Sequence, residues 1–124
     1  MSNFECNKLY AKEFWLNGKI VTYCCTFYLL FENGDCLQAT YSDEHYIWEV
    51  AGVKSVPDFL VAEGDHEFSY KYVEYARDDK KAIGYMLGYE VIGNDILVFK
   101  FSSGLEVKLI YSIENESETI KISA

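Results

Sequence analysis

The chain has 124 residues, half of them hydrophobic and 17% aromatic, with 20 Asp and Glu against 11 Lys and Arg, for a formal charge of −9. A single domain of this length buries roughly two-thirds of its unfolded surface, and so aromatic a composition excludes a disordered chain. The acidic balance excludes a binder that tracks nucleic-acid phosphates, and no apolar run approaches the ~20 residues of a membrane-spanning helix.

The first fifteen residues read two ways. Ser2 followed by Glu5 has the spacing of a capping box, and Phe4, Leu9, Tyr10 and Phe14 roughly follow a helical period. Yet residues 10–16 lead into Asn17-Gly18, the dipeptide of a two-residue hairpin turn. The pattern therefore predicts a strand from Tyr10 to Leu16, with the preceding residues loose or in one helical turn. Lys19–Phe31 (KIVTYCCTFYLLF) is β-branched, aromatic and nearly free of charge, as expected of a central strand covered on both faces.

Asn33-Gly34 turns the chain into a return strand over 36–41. HYIWEV (45–50) alternates as a third strand, with Tyr46 and Trp48 on one face and Ile47 and Glu49 on the other. SVPDFLVAEG (55–64) opens on Ser-Val-Pro and closes on Gly, which predicts one or two helical turns. Residues 66–75 alternate strictly and predict a half-buried strand, followed by a solvated turn at ARDDKK (76–81). Residues 82–92 form a strand interrupted by Gly84 and Gly88, where a bulge or bend is expected. Turns at 93–95 and 102–104 frame strands over 96–101 and 105–111, and a short closing strand is expected over 119–122. The fold class is mainly β, at most α+β with little helix. It is a curled antiparallel meander of roughly seven to nine strands, forming a sandwich or half-barrel that hides its apolar face.

Two segments match without gaps. FENGDCLQATYSDE (31–44) and FSSGLEVKLIYSIE (101–114) share Phe, Gly, Tyr, Ser and Glu at five of fourteen offsets. Shared hairpin chemistry and internal duplication both account for this.

The charge is unevenly spread. Residues 32–79 hold twelve acids against three bases, leaving that stretch at −9, whereas the flanks cancel. Such a segment implies a surface that meets a cationic partner, because a merely soluble surface mixes both signs. Tyr46, Trp48, Phe59 and Phe68 are interleaved with those acids, the arrangement of aromatic anchors within steering charges. The candidate partner-binding residues are Asp43, Glu44, Tyr46, Trp48 and Glu49, supported by Asp58, Glu63, Asp65 and Glu67.

Catalytic signatures are weak. His45 beside Asp43-Glu44 and His66 between Asp65 and Glu67 have the neighbours of proton shuttles, but strand starts commonly carry such histidines. Gly84 and Gly88 lack the Lys-Ser/Thr of a phosphate loop, and no G-x-S-x-G occurs. Cys6, Cys24, Cys25 and Cys36 form no C-x-x-C, and Cys24 and Cys25 would point to opposite faces of a strand. Free thiols, no metal and no cofactor are expected. With a charged opening that lacks a signal-type apolar stretch, the expected location is cytoplasmic.

In size, charge and the pattern of an apolar strand ending in Phe-x-x-Gly and returning through alternating residues (LLFENGDCLQATY, FKFSSGLEVKLIY), the chain resembles the immunity proteins of bacterial contact-dependent inhibition and related polymorphic toxin systems. The resemblance spans about half the chain. It implies an antitoxin that binds a basic toxin domain, often a nuclease, one-to-one and masks its active site. A small-ligand-binding β-rich domain or cryptic enzyme, and a homo-oligomeric structural protein, are the competing readings.

Overall fold

The computed structural model describes residues 4–75 and 82–123. These form ten strands and no helix: β1 (Glu5–Leu16), β2 (Lys19–Phe31), β3 (Cys36–Ser42), β4 (Ile47–Gly52), β5 (Glu63–Gly64), β6 (Phe68–Tyr75), β7 (Gly84–Ile92), β8 (Ile96–Phe101), β9 (Glu106–Ser112) and β10 (Ser117–Ser123). All pairings are antiparallel, in the order β10-β9-β8-β7-β1-β2-β3-β4, and the sheet does not close into a barrel. β6 lies along β1, and the short β5 lies along β6.

The molecule is built from one four-stranded meander used twice. Phe27 opposes Ala39 as Leu97 opposes Leu109, and Tyr41 opposes Trp48 as Tyr111 opposes Glu118. Each of these positions shifts by 70 residues (27 to 97, 39 to 109), and the match holds through β2-β3-β4 and β8-β9-β10. β7 repeats β1 at a shift of 80 (11 to 91), with the same register slip: between Cys6 and Lys8 in one, between Met86 and Gly88 in the other. Gly34 and Gly104 fill equivalent turn positions at φ +91° and +89°, a left-handed conformation that L side chains strain to adopt. Both amides donate to the carbonyl of the preceding Phe, Phe31 or Phe101, at 3.0 Å. The five shared residues were thus the visible part of a repeat in backbone geometry.

The halves meet about a pseudo-two-fold axis. β1 and β7 pair through Glu5 and Tyr85, which are equivalent residues at the shift of 80. Leu9, Phe27, Leu29 and Phe31 from one half and Leu97, Phe99, Phe101 and Val107 from the other form a single buried core. Each such side chain contributes roughly 1.5–3 kcal/mol on leaving water.

Three expectations are corrected. β1 starts at Glu5 rather than Tyr10, because Cys6 pairs with both Phe31 and Gly84 and so holds the strand on two sides. Ser2, the proposed cap, and the turn at 76–81 lie outside the described residues. Residues 55–64 form no helical turn. Apart from β5 they run irregularly across the outer sheet face, where the Phe59 ring stacks on Tyr10 with centroids 4.1 Å apart. Tyr28 and Tyr72 meet Phe59 edge-on, closing a second small core with Cys36. This strap explains why β2 is apolar on both faces. The strand expected over 45–50 also starts later, at Ile47.

Candidate functional site

Tyr41 and Tyr111, equivalent in the two halves, stack face to face with ring centroids 3.7 Å apart and planes 14° from parallel. Each lies near the end of its strand, just before a turn built the same way. The Ser42 hydroxyl accepts the His45 amide at 3.1 Å, the Ser112 hydroxyl accepts the Asn115 amide at 3.3 Å, and Tyr46 and Glu116 take positive φ of 54° and 49°.

Beyond this point the repeat breaks. In the first half Trp48 stands opposite Tyr41, is 3% exposed, meets the Tyr41 ring edge-on and donates its indole N–H to the Asp95 carbonyl at 2.8 Å. In the second half the equivalent position opposite Tyr111 holds Glu118. A carboxylate fills far less space than an indole. A cleft of about 460 Å³ lies there, lined by Thr22, Tyr41, Asp43, Tyr46, Tyr111, Ile113, Glu116 and Glu118.

The cleft is electronegative. Burial, then the nearby Asp43 carboxylate, push the Glu118 carboxyl above the usual range. The Tyr41 and Tyr111 hydroxyls are also raised, by desolvation and then by Asp43. Among the described residues Asp43, Glu116 and Glu118 form no ion pair. No group of three His, Cys, Asp or Glu converges on a metal-sized point among those residues either.

No protein-family model, curated protein or solved structure matched this chain.

The residues expected at a partner face divide. Asp43, Glu44 and Tyr46 lie exposed in the β3–β4 turn, with Tyr46 64% exposed. The strand expected from His45 begins at Ile47, because positive φ at Tyr46 turns that residue out of the ladder. Trp48 is therefore not on Tyr46's face, where alternation had placed it; it is buried in the main core. Glu49 is exposed on β4, which among the described residues pairs only with β3.

The supporting acids do local work. Asp58 accepts the Leu60 amide at 3.1 Å. Asp65 accepts the amides of Phe68 and Glu67, both at 2.9 Å, and these bonds hold its carboxyl below the usual range. Glu63 faces the Lys12 ammonium at 3.6 Å and accepts the Tyr72 hydroxyl, so its charge is partly spent inside the molecule. Glu67 is exposed, and its carbonyl accepts the Asn17 amide, joining its loop to the β1–β2 turn. Glu32 and Asp35, in the β2–β3 turn, sit at the opposite end of the sheet.

Glu116 and Glu118 were missed. They lie beyond the acidic stretch, where Lys100, Lys108 and Lys121 balance them in any running count of charge. The signal available was the repeat itself, which aligns Tyr41 with Tyr111 and the turn at 43–46 with that at 113–116. His45 and His66 are exposed and do not line the cleft.

The four cysteines are free thiols. Cys24 lies in the main core and Cys25 on the other face of β2. Burial pushes Cys6 up to about 12 and Cys36 up to about 11, which suits inert thiols rather than nucleophiles. No helix long and apolar enough to cross a membrane occurs among the described residues.

Proposed function

We propose that the chain is an acidic binding protein, an immunity protein or antitoxin in type, that masks a basic site on a partner protein, and that it is not an enzyme. The contact face is the end that carries the β3–β4 and β9–β10 turns, with Asp43, Glu44, Tyr46 and Glu116 outermost. The observation that carries this reading is the gathering of carboxylates from both halves around exposed aromatic surface, with no Lys or Arg paired to them among the described residues. Carboxylates so placed steer a cationic surface at long range, and the tyrosines displace water on contact. A cytoplasmic toxin domain, such as a basic nuclease, has the matching charge.

The natural candidate partner is the basic C-terminal domain of a toxin encoded immediately upstream. The expected outcome is a one-to-one complex whose association slows steeply as salt rises. Asp43→Lys combined with Glu44→Lys is expected to slow association about tenfold or more and flatten the salt dependence. An unchanged rate and salt slope would remove this face from the interface. The cleft also favours a second reading, a small-ligand site, since its volume lies within the roughly 300–1,000 Å³ of such pockets.

A further inference from the structure

We propose that the cleft beside Glu118 is a binding site for an organic cation, a guanidinium or alkylammonium group seated against Tyr41, Tyr46 and Tyr111 between the carboxylates of Asp43, Glu116 and Glu118. The cation belongs either to an Arg or Lys side chain of a partner protein or to a free amine. The proposal rests on the partner-binding reading only in the first case.

The repeat is broken at this cleft. Two equivalent sites flank the Tyr41–Tyr111 stack. One is filled by this chain's own flat aromatic group, Trp48, whose N–H satisfies a backbone carbonyl. The other has Glu118 in place of that group and is open. The vacancy therefore adjoins an aromatic wall and has gained negative charge in place of an indole. A planar guanidinium combines what such a site lacks: a flat surface to lie on tyrosine, N–H donors and a positive charge.

The chemistry of the lining narrows the class further. A compact metal ion needs several ligands converging on one point, and among the described residues none do so. An anion is repelled by three carboxylates. An uncharged apolar ligand would leave those carboxylates desolvated and unpaired. A diffuse cation meets each of them without requiring them to converge, and its arrival lowers the proton affinity of Glu118.

The test uses the intact chain and methylguanidinium, with uncharged N-methylurea as a control of similar shape, read by the ring NMR signals of Tyr41, Tyr46 and Tyr111. Saturable shifts with methylguanidinium and none with N-methylurea are expected. Asp43→Asn with Glu118→Gln is expected to weaken binding about tenfold or more, while Asp35→Asn at the opposite end leaves it unchanged. Glu118→Trp restores the residue of the other half and is expected to fill the cleft and abolish binding. If that variant does not fold, the Asn/Gln pair decides.

Agmatine and a blocked Gly-Arg-Gly peptide separate the two sources. Tighter peptide binding assigns the site to a partner's side chain, and tighter agmatine binding to a free amine. The inference is overturned by absence of saturation with methylguanidinium, by an equal response to N-methylurea, or by undiminished binding in the Asn/Gln variant. An empty cleft together with association slowed by Asp43→Lys and Glu44→Lys would overturn it while leaving the partner reading intact.

Discussion

Phe59 anchors the whole of the strap over β1 and β2, so Phe59→Ala tests whether those thirteen residues of β2 need cover on their second face. The ring stacks on Tyr10 at 4.1 Å and meets Tyr28 and Tyr72 edge-on at 5.3 and 5.2 Å. Truncating a fully buried Phe costs about 3–5 kcal/mol, and Phe59 is only partly buried. Three aromatic contacts, each contributing about 0.5–1.5 kcal/mol beyond area, place the expected loss at about 2–3 kcal/mol. The unfolding entropy of a chain this long is about 0.26 kcal/mol/K, so the melting temperature should fall by about 8–12 °C. Circular dichroism melts would measure this, with hydrogen exchange showing whether residues 53–62 lose protection. Leu60→Ala is the control: Leu60 is 92% exposed, and its loss should shift the melt by about 1 °C or less. A shift for Phe59→Ala no larger than that control would refute the strap as a structural element.

Glu118→Gln is expected to stabilise the fold at neutral pH. The raised carboxyl means the folded state holds the Glu118 proton more tightly than the unfolded chain does. That contribution is fully present below the unfolded value and lost as pH rises through the folded one. The advantage of the Gln variant should therefore shrink toward zero as pH falls through that window, in paired denaturant titrations; a pH-independent gap would contradict it. Among the thiols, Cys25 should be alkylated first in native protein, with Cys6, Cys24 and Cys36 labelled only on unfolding, as read by peptide mass spectrometry. Gly64→Ala should cost about 2 kcal/mol or more, because its methyl would lie 2.1 Å from the Phe68 carbonyl oxygen at φ +98°. Gly34→Ala, with nothing within 4 Å, should cost only the roughly 1 kcal/mol of left-handed strain; equal losses would show that the clash relaxes.

Strands whose faces alternate, or whose both faces are apolar, were legible in the sequence. Lys19–Phe31 was read with the limits that β2 has in the fold, and the turns at Asn17-Gly18, Asn33-Gly34 and 102–104 fell where their residues demand left-handed φ. The start of β1 was not legible, because Glu5 and Cys6 are held by partners some 25 and 80 residues away and carry no local strand pattern. Val56, Phe59 and Leu60 look like a short amphipathic turn, yet only Phe59 packs in a core cluster, and that geometry comes from Tyr10, Tyr28 and Tyr72. The candidate site was half visible. Composition pointed to Asp43, Glu44 and Tyr46, but alternation alone could not foresee the φ reversal that sends Tyr46 outward and Trp48 inward. Nor could a count of charge along the chain show that Glu118 stands where its counterpart is Trp48.

The equivalence of β1 and β7 at the join bears on how the chain reaches its native state. Every neighbour within each meander is joined by a hairpin, so each half can zip up from contacts close in sequence, on a timescale set by local turns. The Glu5–Tyr85 ladder, the β6 ladder and the shared interior must wait for chain ends far apart to find each other. A half-finished molecule would expose a bare rim whose best match is the same rim on a sister chain, so slow closure and domain exchange between copies stem from the same geometry.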